Sequence, residues 1–149
     1  MKKEKKKIKI DYILSLSRSG STKYGEMLCE KYNNNKEKTI FLGEVSNYIN
    51  GIKEEINISQ KYCSCEKKYK NCNFWGNINR SIYQKKTYKN IINFCKKKGY
   101  KRIIDSSKRL YPLKIYNELN IDFTIHLIIR NPFSWVKSVI KHKNKRLAK

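Results

Sequence analysis

The sequence predicts an α/β protein, a three-layer sandwich with a mainly parallel central sheet between two layers of helices. Three observations carry this expectation. Short apolar runs alternate four times with segments of helical periodicity. The runs are continuous rather than alternating, the pattern of strands covered on both faces. Each run ends in a polar or charged cluster, and in open parallel sheets ligands bind beyond the carboxyl ends of the strands.

In chain order, residues 1–10 read as a basic tail, and Asp11 to Leu16 as the first strand. Thr22 to Tyr32 has helical length, with Tyr24, Met27, Leu28 and Tyr32 at core spacing. Asn33 to Lys38 is a polar turn, Thr39 to Leu42 a second strand closed by Gly43 and Glu44, and Ser46 to Ile52 a short helix. Residues 53–76 are polar, carry cysteines and read as an inserted loop. Ile78 to Lys98 places Ile82, Ile91, Ile92 and Phe94 among lysines and predicts one long helix or two shorter ones, stopped by Gly99. Arg102 to Asp105 is a third strand, Tyr111 to Leu119 a helix, Phe123 to Ile129 a fourth strand and Phe133 to Lys143 a final helix. The 149 residues form a single domain, long enough to bury a core.

The net charge of +23 would ordinarily point to nucleic acid or an anionic membrane. However, 29 of the 35 basic residues are Lys, and Lys, Asn, Ile and Tyr together supply 76 of the 149 positions, all residues with codons available from A and T alone. Much of the charge is thus compositional background on solvated faces, and no specific nucleic-acid partner is expected. Even so, an anionic ligand would be drawn to it. No apolar run approaches the roughly 20 residues of a membrane span, and Met1 to Lys9 lacks the apolar stretch of a signal peptide. A cytoplasmic, reduced protein is expected, and five cysteines, an odd number, fit poorly with a complete disulfide framework.

Chemistry concentrates at the strand ends. Arg18-Ser19-Gly20-Ser21-Thr22 joins the first strand to the first helix. A helix entered through a tight Gly turn aims unpaired N–H groups and the positive end of its dipole at an incoming anion. An ordinary helix start with Ser21 as its N-cap is the plainer alternative. The turn lacks the two-Gly, Lys, Ser/Thr pattern of nucleotide triphosphatases and the spacing of a dinucleotide fingerprint. The other ends are Gly43-Glu44, Asp105-Ser106-Ser107-Lys108 and Arg130-Asn131-Pro132, with Ser138 eight residues past Arg130.

Taken in order, these stretches resemble the sulfotransferases that use 3′-phosphoadenosine 5′-phosphosulfate (PAPS). In that family a basic residue followed by Ser-Gly-Ser/Thr-Thr/Ser holds the 5′-phosphosulfate, and a strand-end Arg with a Ser eight residues on grips the 3′-phosphate. Ile103 to Lys108 is similar to a strand-end Asp-Ser-Ser-Lys of bacterial-type members, Leu42-Gly43-Glu44 to their Leu-Gly-Glu, and Cys63-Ser64-Cys65 with Cys72, Phe74 and Trp75 to a Cys-containing insert. The resemblance runs from about Ile13 to Ser138. It implies a P-loop NTPase-like fold and sulfuryl transfer to a hydroxyl or amine of a small-molecule or saccharide acceptor. It implies binding of PAPS by Arg18, Ser19, Gly20, Ser21, Thr22, Arg130 and Ser138. Glu44 would be the base, and Arg18 and Lys108 would stabilise charge on the leaving phosphate without a metal. Family domains continue well past the 3′-phosphate helix, whereas this chain stops eleven residues after Ser138, so impaired transfer is expected. An ATP-binding P-loop protein and a non-catalytic, polyanion-binding basic module remain as alternatives. Cys63, Cys65 and Cys72 read as a loop staple, reduced thiols or three ligands of a zinc site whose spacing is not the usual paired pattern. Cys29 and Cys95 read as small buried hydrophobes.

Overall fold

The computed structural model describes residues 7–50, 63, 65, 67–81 and 83–147. Its central element is the strand β1 (Lys9–Ser15), which pairs in parallel with β3 (Arg102–Asp105) on one side and β4 (Phe123–Ile128) on the other; β2 (Thr39–Phe41) pairs in parallel with the outer edge of β3. The order is β2-β3-β1-β4. Between the strands run α1 (Ser21–Asn34), α2 (Val45–Asn50), α3 (Gln84–Lys97) and α4 (Tyr111–Glu118), with α5 (Pro132–Leu147) after β4. The α/β class and the parallel sheet are therefore as expected.

Register explains how the layers form. Ile10 and Tyr12 point to the face that also holds Tyr88, Ile91, Ile92, Cys95, Ile115 and Tyr116 of α3 and α4, all buried. Each such Ile contributes roughly 1.5–3 kcal/mol through apolar area removed from water. Asp11 and Ile13 point to the opposite face, beneath α1. There Gly25 lets the helix settle onto β2: a Cβ at this position would lie 2.5 Å from the Phe41 ring. Helices thus cover both faces, but the outer part of β4 is bare, with Ile125 and Leu127 47% and 64% exposed. Among the described residues no helix is long and apolar enough to cross a membrane.

Several boundaries differ from expectation. β1 begins at Lys9, taking the last two residues of the expected tail into the sheet, because Ile8 and Ile10 are buried. α1 continues to Asn34, since the Asn33 side chain bridges the helix end to β2, donating to the Cys29 and Thr39 carbonyls and accepting from the Thr39 N–H at 2.9 Å. α3 starts only at Gln84. Ile78 is buried in the preceding extended segment, and the Thr87 hydroxyl holds that segment by accepting from Ser81 N–H and donating to Ser81 C=O. Ile82, Ile52 and most of 53–66 lie outside the described residues. The described part of the insert is more than a loop. It contains two 3-10 turns, Tyr69–Asn71 and Trp75–Asn77, and plugs the core with Trp75, stacked 4.1 Å from the Tyr48 ring of α2.

Candidate functional site

The C-terminal ends of β1, β2 and β3, with one face of α5, surround a cleft of about 840 Å³, within the usual range for a small-molecule site. Its walls include Ser17, Arg18, Gly20, Ser21, Thr22, Lys23, Glu44, Lys108, Trp135 and Ser138. Seven of these, Arg18, Gly20, Ser21, Thr22, Glu44, Lys108 and Ser138, are site residues expected from sequence.

The turn after β1 owes its shape to two left-handed residues. Gly20 (φ 93°) adopts this conformation readily, whereas at Arg18 (φ 67°) it carries about 1–2 kcal/mol of strain, a kind of cost that clusters at functional sites. Gly20 is the N-cap residue, and no side chain caps the helix. Ser21 is instead the first helical residue and is buried. The Ser-capped alternative is therefore not what forms. With no acidic residue in the first turn of α1, the helix dipole adds to the charges of Arg18 and Lys23 at the cleft. The hydroxyls of Ser15 and Ser19, beneath and within the turn, are buried with no hydrogen-bond partner among the described residues.

The opposite wall is a laced pair of turns. After β2, the Gly43 carbonyl (φ 66°) accepts from the Ser106 N–H at 2.8 Å. The Ser46 N–H donates to Ser107 Oγ at 2.9 Å, and Ser107 Oγ in turn donates to the Asp105 carboxylate. That carboxylate also accepts from the Ser107 N–H (2.9 Å) and the Tyr116 hydroxyl (2.7 Å). Burial pushes the Asp105 pKa up from 3.8 to about 6, against the opposing pull of these donors. This network sets the next residue, Lys108, whose ammonium pairs with Glu44 Oε1 while Asn47 Nδ2 donates to Oε2. Glu44 and Lys108 are thus brought into contact across 64 positions of sequence.

Two expected residues lie apart from the cleft wall. Ser19 and Arg130 line a neighbouring groove that also contains Leu16, Leu110, Leu127 and Ile129. The exposed Arg130 guanidinium donates from Nη1 to the Arg18 carbonyl at 2.6 Å. Sequence reasoning missed Ser17, Lys23 and Trp135. The Trp135 indole N–H donates to the Ser17 carbonyl at 2.7 Å, docking α5 on the turn. The signal was present, since Trp135 and Ser138 are three residues apart and share a helix face. The only group of three potential metal ligands among the described residues, Cys63, Cys65 and Cys72, is not among the residues lining the cleft.

No family model and no curated protein matches the chain. Among solved structures it is similar to a cysteine-to-alanine mutant of the APS kinase CysC from Mycobacterium tuberculosis, with 12% identity over 82% of this chain and 76% of that one and a TM-score of 0.44.

What the cleft offers chemically is clear from its parts. A helix N-terminus, hydroxyls and fixed cations suit a ligand bearing phosphate or sulfate groups. The Glu44 carboxylate lies in the same cleft wall, paired with Lys108.

Proposed function

We propose that this cleft binds PAPS and transfers its sulfuryl group to a hydroxyl or amine of a small-molecule or saccharide acceptor. The observation that carries the reading is the gathering of Arg18, Gly20, Ser21, Thr22, Glu44, Lys108 and Ser138, from three strand ends and α5, around one cleft. The 5′-phosphosulfate would lie on the N–H groups and hydroxyls of the turn from Gly20 to Thr22, which lines the cleft, with Ser19 completing the turn from the neighbouring groove. Ser138 and Arg130 would hold the 3′-phosphate.

Sulfuryl transfer asks the protein for in-line positioning and for neutralisation of charge moving onto the leaving phosphate. Glu44 takes the acceptor proton as the new bond to sulfur forms. The bridging S–O bond breaks, and 3′,5′-ADP leaves with its new charge facing Arg18 and Lys108. The contact between Glu44 and Lys108 links the two tasks: when Lys108 turns to the leaving phosphate, Glu44 Oε1 is released for the acceptor proton. A carboxylate has about four lone-pair sites, so the bond from Asn47 does not prevent this.

Calorimetric titration with 3′,5′-ADP and with Mg-ATP tests the reading. The expected result is tighter binding of 3′,5′-ADP, weakened about tenfold or more in Arg18→Ala by loss of a charged contact. Tighter binding of Mg-ATP would overturn it, as would binding only to heparin or duplex DNA with a steep salt dependence that Arg18→Ala leaves unchanged.

A further inference from the structure

We propose that Cys63, Cys65 and Cys72 form a zinc site, with water or an exogenous ligand completing the coordination. Their sulfur atoms lie within 4.8 Å of one another, and the sulfurs of Cys65 and Cys72 are 3.6 Å apart. Tetrahedral zinc with Zn–S bonds of about 2.3 Å holds its sulfurs about 3.8 Å apart, so one ion can reach all three with small side-chain movements. An iron–sulfur cluster would bind the thiolates on different irons and spread them further.

Stoichiometry also favours a metal over a disulfide. Three mutually adjacent thiols leave one unused when two are oxidised, whereas a single thiophilic ion engages all three. The Lys67 N–H donates to Cys65. The Cys63 N–H donates to the Lys67 carbonyl at 2.8 Å, which brings residues 63 and 67 together on either side of Cys65. Three thiolates and Zn²⁺ carry a net charge of −1, and the exposed Lys67, Lys68 and Lys70 lie on the same loop to offset it. No fourth His, Cys, Asp or Glu joins the group among the described residues.

The position gives the metal a structural task. Cys72 is buried, and its carbonyl accepts from the Gly76 N–H at 2.8 Å. It immediately precedes the turn that carries Trp75 onto Tyr48 of α2, and α2 follows Glu44 directly in the chain. A zinc ion would tie residues 63 and 65 to this plug and so brace the wall that holds Glu44.

The test uses the full chain purified with a thiol reductant and supplied with zinc, followed by removal of loose metal. Elemental analysis is expected to find about one zinc per chain, lost in Cys65→Ser and Cys72→Ser but kept in Cys29→Ser, which lies outside the group. In the wild-type protein, alkylation followed by mass spectrometry should modify Cys63 and Cys65 only after a chelator is added. Cobalt should give intense near-ultraviolet thiolate-to-metal bands. Absence of bound zinc overturns the proposal, as does retention of zinc by Cys65→Ser or alkylation of the wild-type cysteines at the same rate with and without chelator. The wild-type arms keep the proposal falsifiable even where a serine variant fails to fold.

Discussion

Replacing Arg102 by Met removes the guanidinium while leaving a hydrocarbon stem to pack where Arg102 now lies, 4.1 Å from the Tyr32 ring. What it exposes is a charge problem in the sheet. Asp11 on β1 has a side chain only 1% exposed, and it accepts from Arg102 Nη1 at 2.6 Å and from His126 Nε2 at 2.7 Å. The other ring nitrogen of His126 is in hydrogen-bond contact with the Tyr24 hydroxyl at 2.9 Å, so β1, β3 and β4 meet at one carboxylate and α1 joins through His126. Removing one partner of a buried pair typically costs 3–5 kcal/mol, because the remaining charge is left uncompensated. His126 still donates and Arg102 is 12% exposed, which places the expected loss near the lower limit, about 3 kcal/mol. Adding Asp11→Asn in that background should return about 1–2 kcal/mol, since the amide oxygen can still accept from His126 and no charge remains buried. Urea denaturation followed by circular dichroism, with equal m-values as the check on a common unfolded state, measures both numbers. A loss below about 1 kcal/mol for Arg102→Met, or a deeper loss in the double variant, would refute the reasoning.

Gly25→Ala gains up to about 1 kcal/mol of helix propensity but drives a methyl into the Phe41 ring; overpacking of about 1–3 kcal/mol should leave a net loss, relieved by Phe41→Leu, and denaturation of the three variants decides the sign. Asp105→Asn removes a carboxylate whose folded pKa of about 6 exceeds its ordinary 3.8. Stability from such a group is present below the unfolded value and lost as pH rises through the folded one. At ~1.4 kcal/mol per pKa unit, wild type should therefore lose about 2.4 kcal/mol relative to the variant between pH 4 and 7, and a pH-independent difference in unfolding free energy would contradict this. Glu44→Gln should lower the transfer rate about 100-fold or more while 3′,5′-ADP affinity stays within a few-fold, read by turnover and calorimetry on one preparation.

The parts legible in sequence are those encoded by contiguous residues. All four strands and the turn at Arg18 to Thr22 follow from local pattern, because each strand is written as a short apolar run and a tight turn into a helix needs Gly20, although β4 proves partly bare where such a run predicts cover on both faces. The contacts that orient the site were not legible. Asp11, Arg102 and His126 meet only because the register sets Asp11 opposite Thr124 and Ile104, and no local pattern reveals pairings 91 and 115 residues apart. Likewise Asp105 and Ser107 could be read as strand-end polar residues, but not as the positioning network beneath Lys108. The start of α3 was misjudged because Ile78 is apolar at helical spacing yet buries itself from an extended segment.

Arg130 draws these levels together. In the proposed function it grips a 3′-phosphate, yet its Nη1 is already given to the Arg18 carbonyl. The two roles are compatible because a guanidinium carries five N–H donors in a fixed plane, and one bond to a carbonyl leaves the remaining four. The bond also has a consequence for the first loop. It holds the carbonyl of a residue in the left-handed region, at φ 67°, helping to maintain a strained turn that a less constrained backbone would relax. Trp135 holds the preceding residue, Ser17, in the same way from α5. The strand end that would grip one phosphate therefore also shapes the cradle for the other, and the distance between the two grips is set by protein contacts before any ligand arrives. Under the proposed function, such preorganisation would suit a nucleoside carrying phosphates at both its 3′ and 5′ positions, and the titration of 3′,5′-ADP against Mg-ATP tests it.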